Sequence, residues 1–244
     1  MKRISDSTFS EIDHRPWPIP QNHWLYYQEW NEALFLHWKI PPTLLKPLLP
    51  PTLKADEIDN ACYISLVAFT MNRIRPRFLP SLSLISRFHE VNLRTYVVAD
   101  NKPGVYFLSI EAGKRISSFL AKSLSGLPYT YSDLRRSEHC YEANHPAKSS
   151  YLKSTFIPGS EISENEKSPL EIWLTERYAL YLDVDDALYR YEIHHKPWKL
   201  QNVTLRKLDV SYEAGEMTLN HENLHSAHYS PGVQVVSWPR ERIL

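Results

Sequence analysis

Glycine is scarce, with 6 residues in 244. Neither a GxGxxG dinucleotide fingerprint nor a P-loop occurs, which excludes glycine-cradled phosphate chemistry. Cysteine is scarcer still. Cys62 and Cys140 stand far apart with no paired spacing, so a disulfide framework and a cysteine zinc site are excluded and two free thiols are expected. An excess of either charge is also missing: 28 basic and 28 acidic residues cancel. That balance removes the long-range attraction that a nucleic-acid binder or a polybasic membrane protein uses, and favours small-molecule chemistry. Met1 to Ser10 hold no apolar core and form neither a secretory h-region nor a spanning helix, so a cytoplasmic location is expected. No Gly/Ser-rich or charge-block linker, internal repeat or low-complexity tract interrupts the chain, and 1–244 reads as one domain.

What is present is apolar and stiff. Hydrophobic residues make 43% of the chain and aromatics 12%, enough for a substantial core. Eighteen prolines punctuate short apolar runs, a pattern of extended segments joined by rigid turns. Residues 33–40, 62–70, 93–98, 105–112, 151–157 and 233–238 are rich in aromatic and β-branched side chains and are predicted strands. Segments 178–182 and 188–194 flank Asp183-Val184-Asp185-Asp186 as a hairpin. Helical signals are few: 116–124 with a stop at Gly126 and Pro128, a capping box at Ser168-Pro169-Leu170-Glu171 opening 168–175, and a brief apolar face over 43–49. The fold class expected is α+β, predominantly β, with a largely antiparallel sheet and a few short helices.

Three sets of residues could carry chemistry. On a strand through 88–97, Glu90, Asn92, Arg94 and Tyr96 share one face and Val91, Leu93, Thr95 and Val97 the other. That polar row meets either solvent, where a Glu90–Arg94 ion pair is the plain outcome, or an enclosed polar cavity. The turn Ser125-Gly126-Leu127-Pro128 presents the phenol of Tyr129. Glu176-Arg177 follows the capped helix, where an internal ion-pair lock is expected, and His195 lies beside Pro197 and Trp198. This third set ranks lower than the first two, and so do two more. His221, His225 and His228 fall at i, i+4 and i+7, yet Asn220, Asn223, Pro231 and Gly232 favour a loop over a helix face, so no metal is expected. Arg73, Arg75 and Arg77 alternate on an extended segment whose default is a solvated edge.

Leu36-His37-Trp38, the run 88–97, the segment 104–109, Leu127-Pro128-Tyr129, the segment 174–178 and His195-Lys196-Pro197-Trp198 together resemble the YqjF-like family of bacterial proteins. That family is in turn similar to the acetoacetate decarboxylase-like superfamily. The resemblance implies a β cone or barrel with a buried pocket, in which a glutamate on an earlier strand and a Schiff-base lysine after a Gly-x-Pro turn do the chemistry. Glu90 matches the glutamate and Gly126-Leu127-Pro128 the turn, but Tyr129 stands where the lysine would be. A phenol forms no imine, so Schiff-base decarboxylation is not expected; Lys114 and Lys122 lie upstream, and a solvated helix face is their default. The resulting expectation is a pocket for a small carboxylate or carbonyl compound. Glu90 would be the base and Tyr129 an acid or hydrogen-bond donor with its pKa lowered by Arg94. Arg94, Tyr96, His37 and His195 would contact substrate, and no cofactor is implied. The alternative is a binding protein that uses the same pocket without turnover. Self-association of a neutral, aromatic-rich surface stays open.

Overall fold

The computed structural model describes residues 11–82, 86–115 and 126–244. The predicted helix over 116–124, with Lys122, lies outside them. The strands are β1 (Tyr26–Ile40), β2 (Lys54–Ala55), β3 (Cys62–Pro76), β4 (Phe88–Ala99), β5 (Lys102–Ala112), β6 (Tyr129–Tyr131), β7 (Asp133–Ser137), β8 (Cys140–Asn144), β9 (Tyr151–Glu161), β10 (Ala179–Val184), β11 (Ala187–His194), β12 (Gln201–Ala214), β13 (Met217–Asn220), β14 (Ser226–Ser237) and β15 (Glu241–Arg242). Among the described residues two short helices accompany them, α1 (Pro42–Leu45) and α2 (Pro169–Thr175). Both arms of the Ser168/Glu171 capping box form, with Pro169 at the first helical position, so α2 begins where its sequence signature puts it. The hairpin of β10 and β11 turns at Asp185 and Asp186, both at positive φ (53° and 57°), the conformation of a two-residue type I′ loop.

β1, β3, β4, β5, β10, β11 and β14 pair in succession and β14 returns to β1, closing a ring of seven strands. Within the ring only β5 and β10 run parallel. Gly104 sits at that junction. A Cβ there would meet Ala179 O at 2.5 Å and Tyr181 Cε2 at 2.7 Å, so only glycine lets the two strands approach. Gly104→Ala is expected to cost about 2 kcal/mol by overpacking, read as a lower urea midpoint; an unchanged midpoint would show that the junction yields.

β14 also pairs with β12 and carries the sheet on to β9, β8 and β7, which wrap the outside of the ring. The second half of β1 and most of β3 and β4 are therefore buried on both faces. Leu34, Leu36, Leu66, Val91 and Leu93 point outward and pack with Leu152, Phe156, Val210 and Tyr212 of the second layer. Phe35, Val67 and Phe69 point inward, where they meet Ile193, Trp198 and Val235. No helix among the described residues is long and apolar enough to cross a membrane.

Candidate functional site

The inner face of the ring leaves a cavity of about 150 Å³. Strand register orders its walls. Along β3 and β4, Met71 is level with Phe88, Phe69 with Glu90, Val67 with Asn92 and Ser65 with Arg94. Trp30 of β1 pairs with Met71 and Tyr26 with Pro76. The cavity thus runs from the half-buried Tyr26, Ile74 and Tyr191 at one end, past Trp30 and Phe69, to Glu90 and Asn92, and ends at Arg94.

The polar row of β4 does not face solvent. Glu90, Asn92 and Arg94 are 3%, 4% and 7% exposed, and no Glu90–Arg94 ion pair forms among the described residues. Both faces of β4 are covered because the ring is closed inside and wrapped outside, so alternation there separates two interiors rather than an interior from water. Asn92 Nδ2 donates to Glu90 Oε1 at 3.2 Å, and the Tyr129 hydroxyl donates to Glu90 Oε2 at 3.0 Å. Burial raises the Glu90 carboxyl from 4.5 to about 7, against the pull of these two hydrogen bonds. Tyr129 stands on β6, beside Ile110 of β5, after a turn in which Gly126 takes φ +72°. Its hydroxyl titrates well above 10, pushed first by burial and then by the Glu90 carboxylate. The expectation that Arg94 would favour the phenolate is overturned. Tyr129 keeps its proton, and Glu90 is the group that titrates near neutrality.

Arg94 closes the far end. Among the described residues its only hydrogen bond is from Nη2 to Leu174 O at 3.4 Å, its Nε has no partner, and no carboxylate pairs with it. Arg177 also lines the cavity. The expected Glu176–Arg177 lock does not form. Arg177 Nη1 pairs with Asp56, its guanidinium lies 4.2 Å from the Trp173 ring centroid, and its Nη2 is left without a partner. Glu176 instead accepts from the Tyr178 hydroxyl and the Trp198 amide. The place of Arg177 in the cavity lining carries no local sequence signal, because its partner Asp56 is remote in sequence and β10 begins only after it.

The other sequence-derived residues divide. His195 lines the cavity. Its Nδ1–H donates to Lys196 O at 2.7 Å, and burial drops its pKa to about 3, so it is a neutral wall packed against Tyr178 and Trp198. Tyr96 and His37 lie behind Arg94 rather than in the lining. There the Tyr96 hydroxyl donates to Leu174 O at 2.9 Å, the carbonyl that Arg94 also uses. With that proton committed, Ser65 must donate to Tyr96 across 2.6 Å, and His37 must donate from Nδ1 to Ser65 across 2.6 Å. The chain fixes the tautomer of a His37 that burial, His228 and Arg94 hold neutral. His37 and Tyr96 therefore support Arg94 from below.

Lys114 is exposed, and no lysine lines the cavity among the described residues. His221 and His225 are exposed, and His228 lies on β14 with its Nε2 3.0 Å from Glu171. Among the described residues no group of three His, Cys, Asp or Glu side chains is spaced to hold a metal ion. Arg73 pairs with Glu29, while Arg75 and Arg77 lie over the rings of Tyr27 and Trp24. Cys62 is buried and Cys140 half-buried, and both are free thiols.

Comparison with known proteins gives this geometry its relatives. The sequence pattern of the DUF2071 family, described as an uncharacterized conserved protein, matches residues 27–234. A Bacillus subtilis (strain 168) relative, described as uncharacterized protein YqjF, is 34% identical over 227 residues, covering 91% of this chain and 93% of its own. Among solved structures, acetoacetate decarboxylase from Legionella pneumophila aligns with a TM-score of 0.59 at 13% identity, over 100% of this chain and 96% of its own. The enduracididine biosynthesis enzyme MppR complexed with pyruvate aligns with a TM-score of 0.60 at 9% identity, over 95% of this chain and 93% of its own. At such identities the likeness is one of fold. The resemblance carried by the short motifs of the sequence thus holds: the chain belongs to the DUF2071, YqjF-like family and is built on the acetoacetate decarboxylase-like fold.

Proposed function

We propose that the ring cavity takes up a small carboxylate or carbonyl compound and exchanges a proton with it, without a Schiff base. One observation carries this reading: a buried guanidinium with no carboxylate partner among the described residues, Arg94, opens into the same cavity as the Glu90 carboxyl, which burial lifts to about 7 and the Tyr129 hydroxyl holds by a hydrogen bond. A buried cation without a counter-charge is costly, and an anionic ligand supplies the missing partner, bidentately on a planar fork. Glu90 is then the acid/base group. With a pKa of about 7 it exists in both forms at physiological pH, which suits proton transfer to or from a carbon next to a carbonyl. Tyr129 holds Glu90 in place and is a hydrogen-bond donor for an oxygen of the ligand. Its position after the Gly126-Leu127-Pro128 turn, where a Schiff-base lysine would stand, supports acid/base chemistry over imine chemistry. The pyruvate with which MppR is complexed supports a small carboxylate as the ligand class. The zero net charge supports a small-molecule partner over nucleic acid.

Incubating the full chain with pyruvate and 2-oxobutanoate in D₂O, followed by NMR, tests the reading. Deuterium is expected at C3 faster than in buffer alone, with the rate falling to background in Glu90→Gln and by about a hundredfold in Tyr129→Phe. Binding without exchange would favour the second reading, a non-catalytic carrier. The predominantly apolar walls and the firmly protonated Tyr129 are what support that alternative.

A further inference from the structure

The charges in the cavity lining are few, and they are segregated. Arg94 and Arg177 sit at one end, with Asp56 pairing Arg177 from outside the lining. With Glu90 protonated, this end carries one positive charge in excess. The opposite end is mainly aromatic and apolar and holds no charged side chain among the described lining residues, its polar groups being those of Tyr26, Gln28, Tyr191 and Ser237 and the unpartnered Trp30 indole N–H. Trp30 packs on Phe69 and Trp198 with ring centroids 5.8 and 6.1 Å away, and Met71 and Ile74 continue the wall outward. Six residues of β3, about 20 Å of strand, separate the arginine rung at Ser65 from the Trp30 rung at Met71. A molecule with two anionic ends would place one of them against tryptophan, away from any described cation of the lining. One carboxylate neutralises the excess charge, and an apolar tail fills what remains.

We infer that the cavity selects monocarboxylates bearing an apolar tail of up to about one aromatic ring, with the carboxylate at Arg94 and the tail among Trp30, Phe69 and Trp198. The size limit follows from the volume of about 150 Å³, comparable to the roughly 150 Å³ of dry space that holds a benzene molecule. This selection rests on the proposed carboxylate reading and adds to it the polarity of the tail and the direction in which it lies.

Calorimetric titration of the full chain with acetate, butanoate, hexanoate, 3-phenylpropanoate, glutarate and 3-phenylpropanamide separates the two claims. Affinity is expected to rise about fourfold for each methylene buried between acetate and hexanoate. 3-Phenylpropanoate should bind at least as well as hexanoate, and glutarate and the uncharged amide at least tenfold more weakly. Trp30→Gln, which places a polar side chain at the tail end, should flatten the dependence of affinity on tail length. Carboxylates that bind with no gain from the tail, or glutarate binding as tightly as hexanoate, would overturn the inference alone. Absence of binding by every carboxylate would overturn the carboxylate reading with it.

Discussion

Glu90→Gln is expected to raise the unfolding temperature at pH 8 by roughly 6–12 °C and at pH 5 by only about 2–3 °C. In the folded protein burial lifts this carboxyl from 4.5 to about 7. A group raised in this way contributes its full stability below the unfolded value. It loses that stability as pH climbs through the folded value, because the unfolded chain ionises freely and the folded one ionises against its surroundings. The span corresponds to roughly 3 kcal/mol. Glutamine keeps the shape, stays neutral at every pH, and finds an acceptor for its amide in Asn92 Oδ1, which has no partner now. Neutral buried histidines act in the opposite direction: His37, His89, His195 and His228 are all held below 6.5, chiefly by burial, and cost stability as pH falls below that value. Between about pH 4.5 and 6.5 the two effects oppose each other, so the difference between the wild-type and variant curves, which should open from about pH 4.5 and level off above about pH 7, isolates Glu90. Thermal or urea unfolding from pH 5 to 9 checks this. Parallel curves for the two proteins would mean that Glu90 ionises in the fold as easily as in water.

The same residue shows how far the sequence could be read. The order of motifs and the alternation along 88–97 placed Glu90, Asn92 and Arg94 on one face, and the capping box and the Asp185-Asp186 hairpin were legible because local chemistry determines them. Whether that face was wet was not legible, since a row of polar residues two apart looks the same on an exposed strand and inside a closed ring. Closure depends on β11 finding β14 and on the parallel approach at Gly104, contacts between remote segments. β12 escaped notice for a different reason. Its register slips between Leu205 and Lys207, so its alternation changes phase midway and Lys-Arg charges interrupt the run. Asp56, the partner of Arg177, lies 121 residues from it, and no local pattern joins the two.

The two arginines at the end of the cavity should respond in opposite directions to the same change. Arg94→Met removes a buried cation that has no carboxylate partner among the described residues and replaces it with an apolar chain of similar length. The empty protein is expected to gain roughly 1–3 kcal/mol, while affinity for a small carboxylate falls on the order of a hundredfold. Arg177→Met strips Asp56 of its counter-charge at a half-buried position and removes a cation lying on Trp173 and Tyr96. It is expected to cost roughly 2 kcal/mol before any ligand is added. Urea unfolding of each variant, with and without a saturating carboxylate, reads both terms, because a ligand that binds only the native state adds its binding free energy to stability. Wild type should be stabilised by the ligand, Arg94→Met should not, and Arg177→Met should recover part of its loss. If Arg94→Met instead destabilises the empty protein as much as Arg177→Met does, then Arg94 is a structural cation like its neighbour, held by Leu174 O and the rings of Phe35 and Tyr96. The cavity would then have no unmatched charge left to recruit an anion.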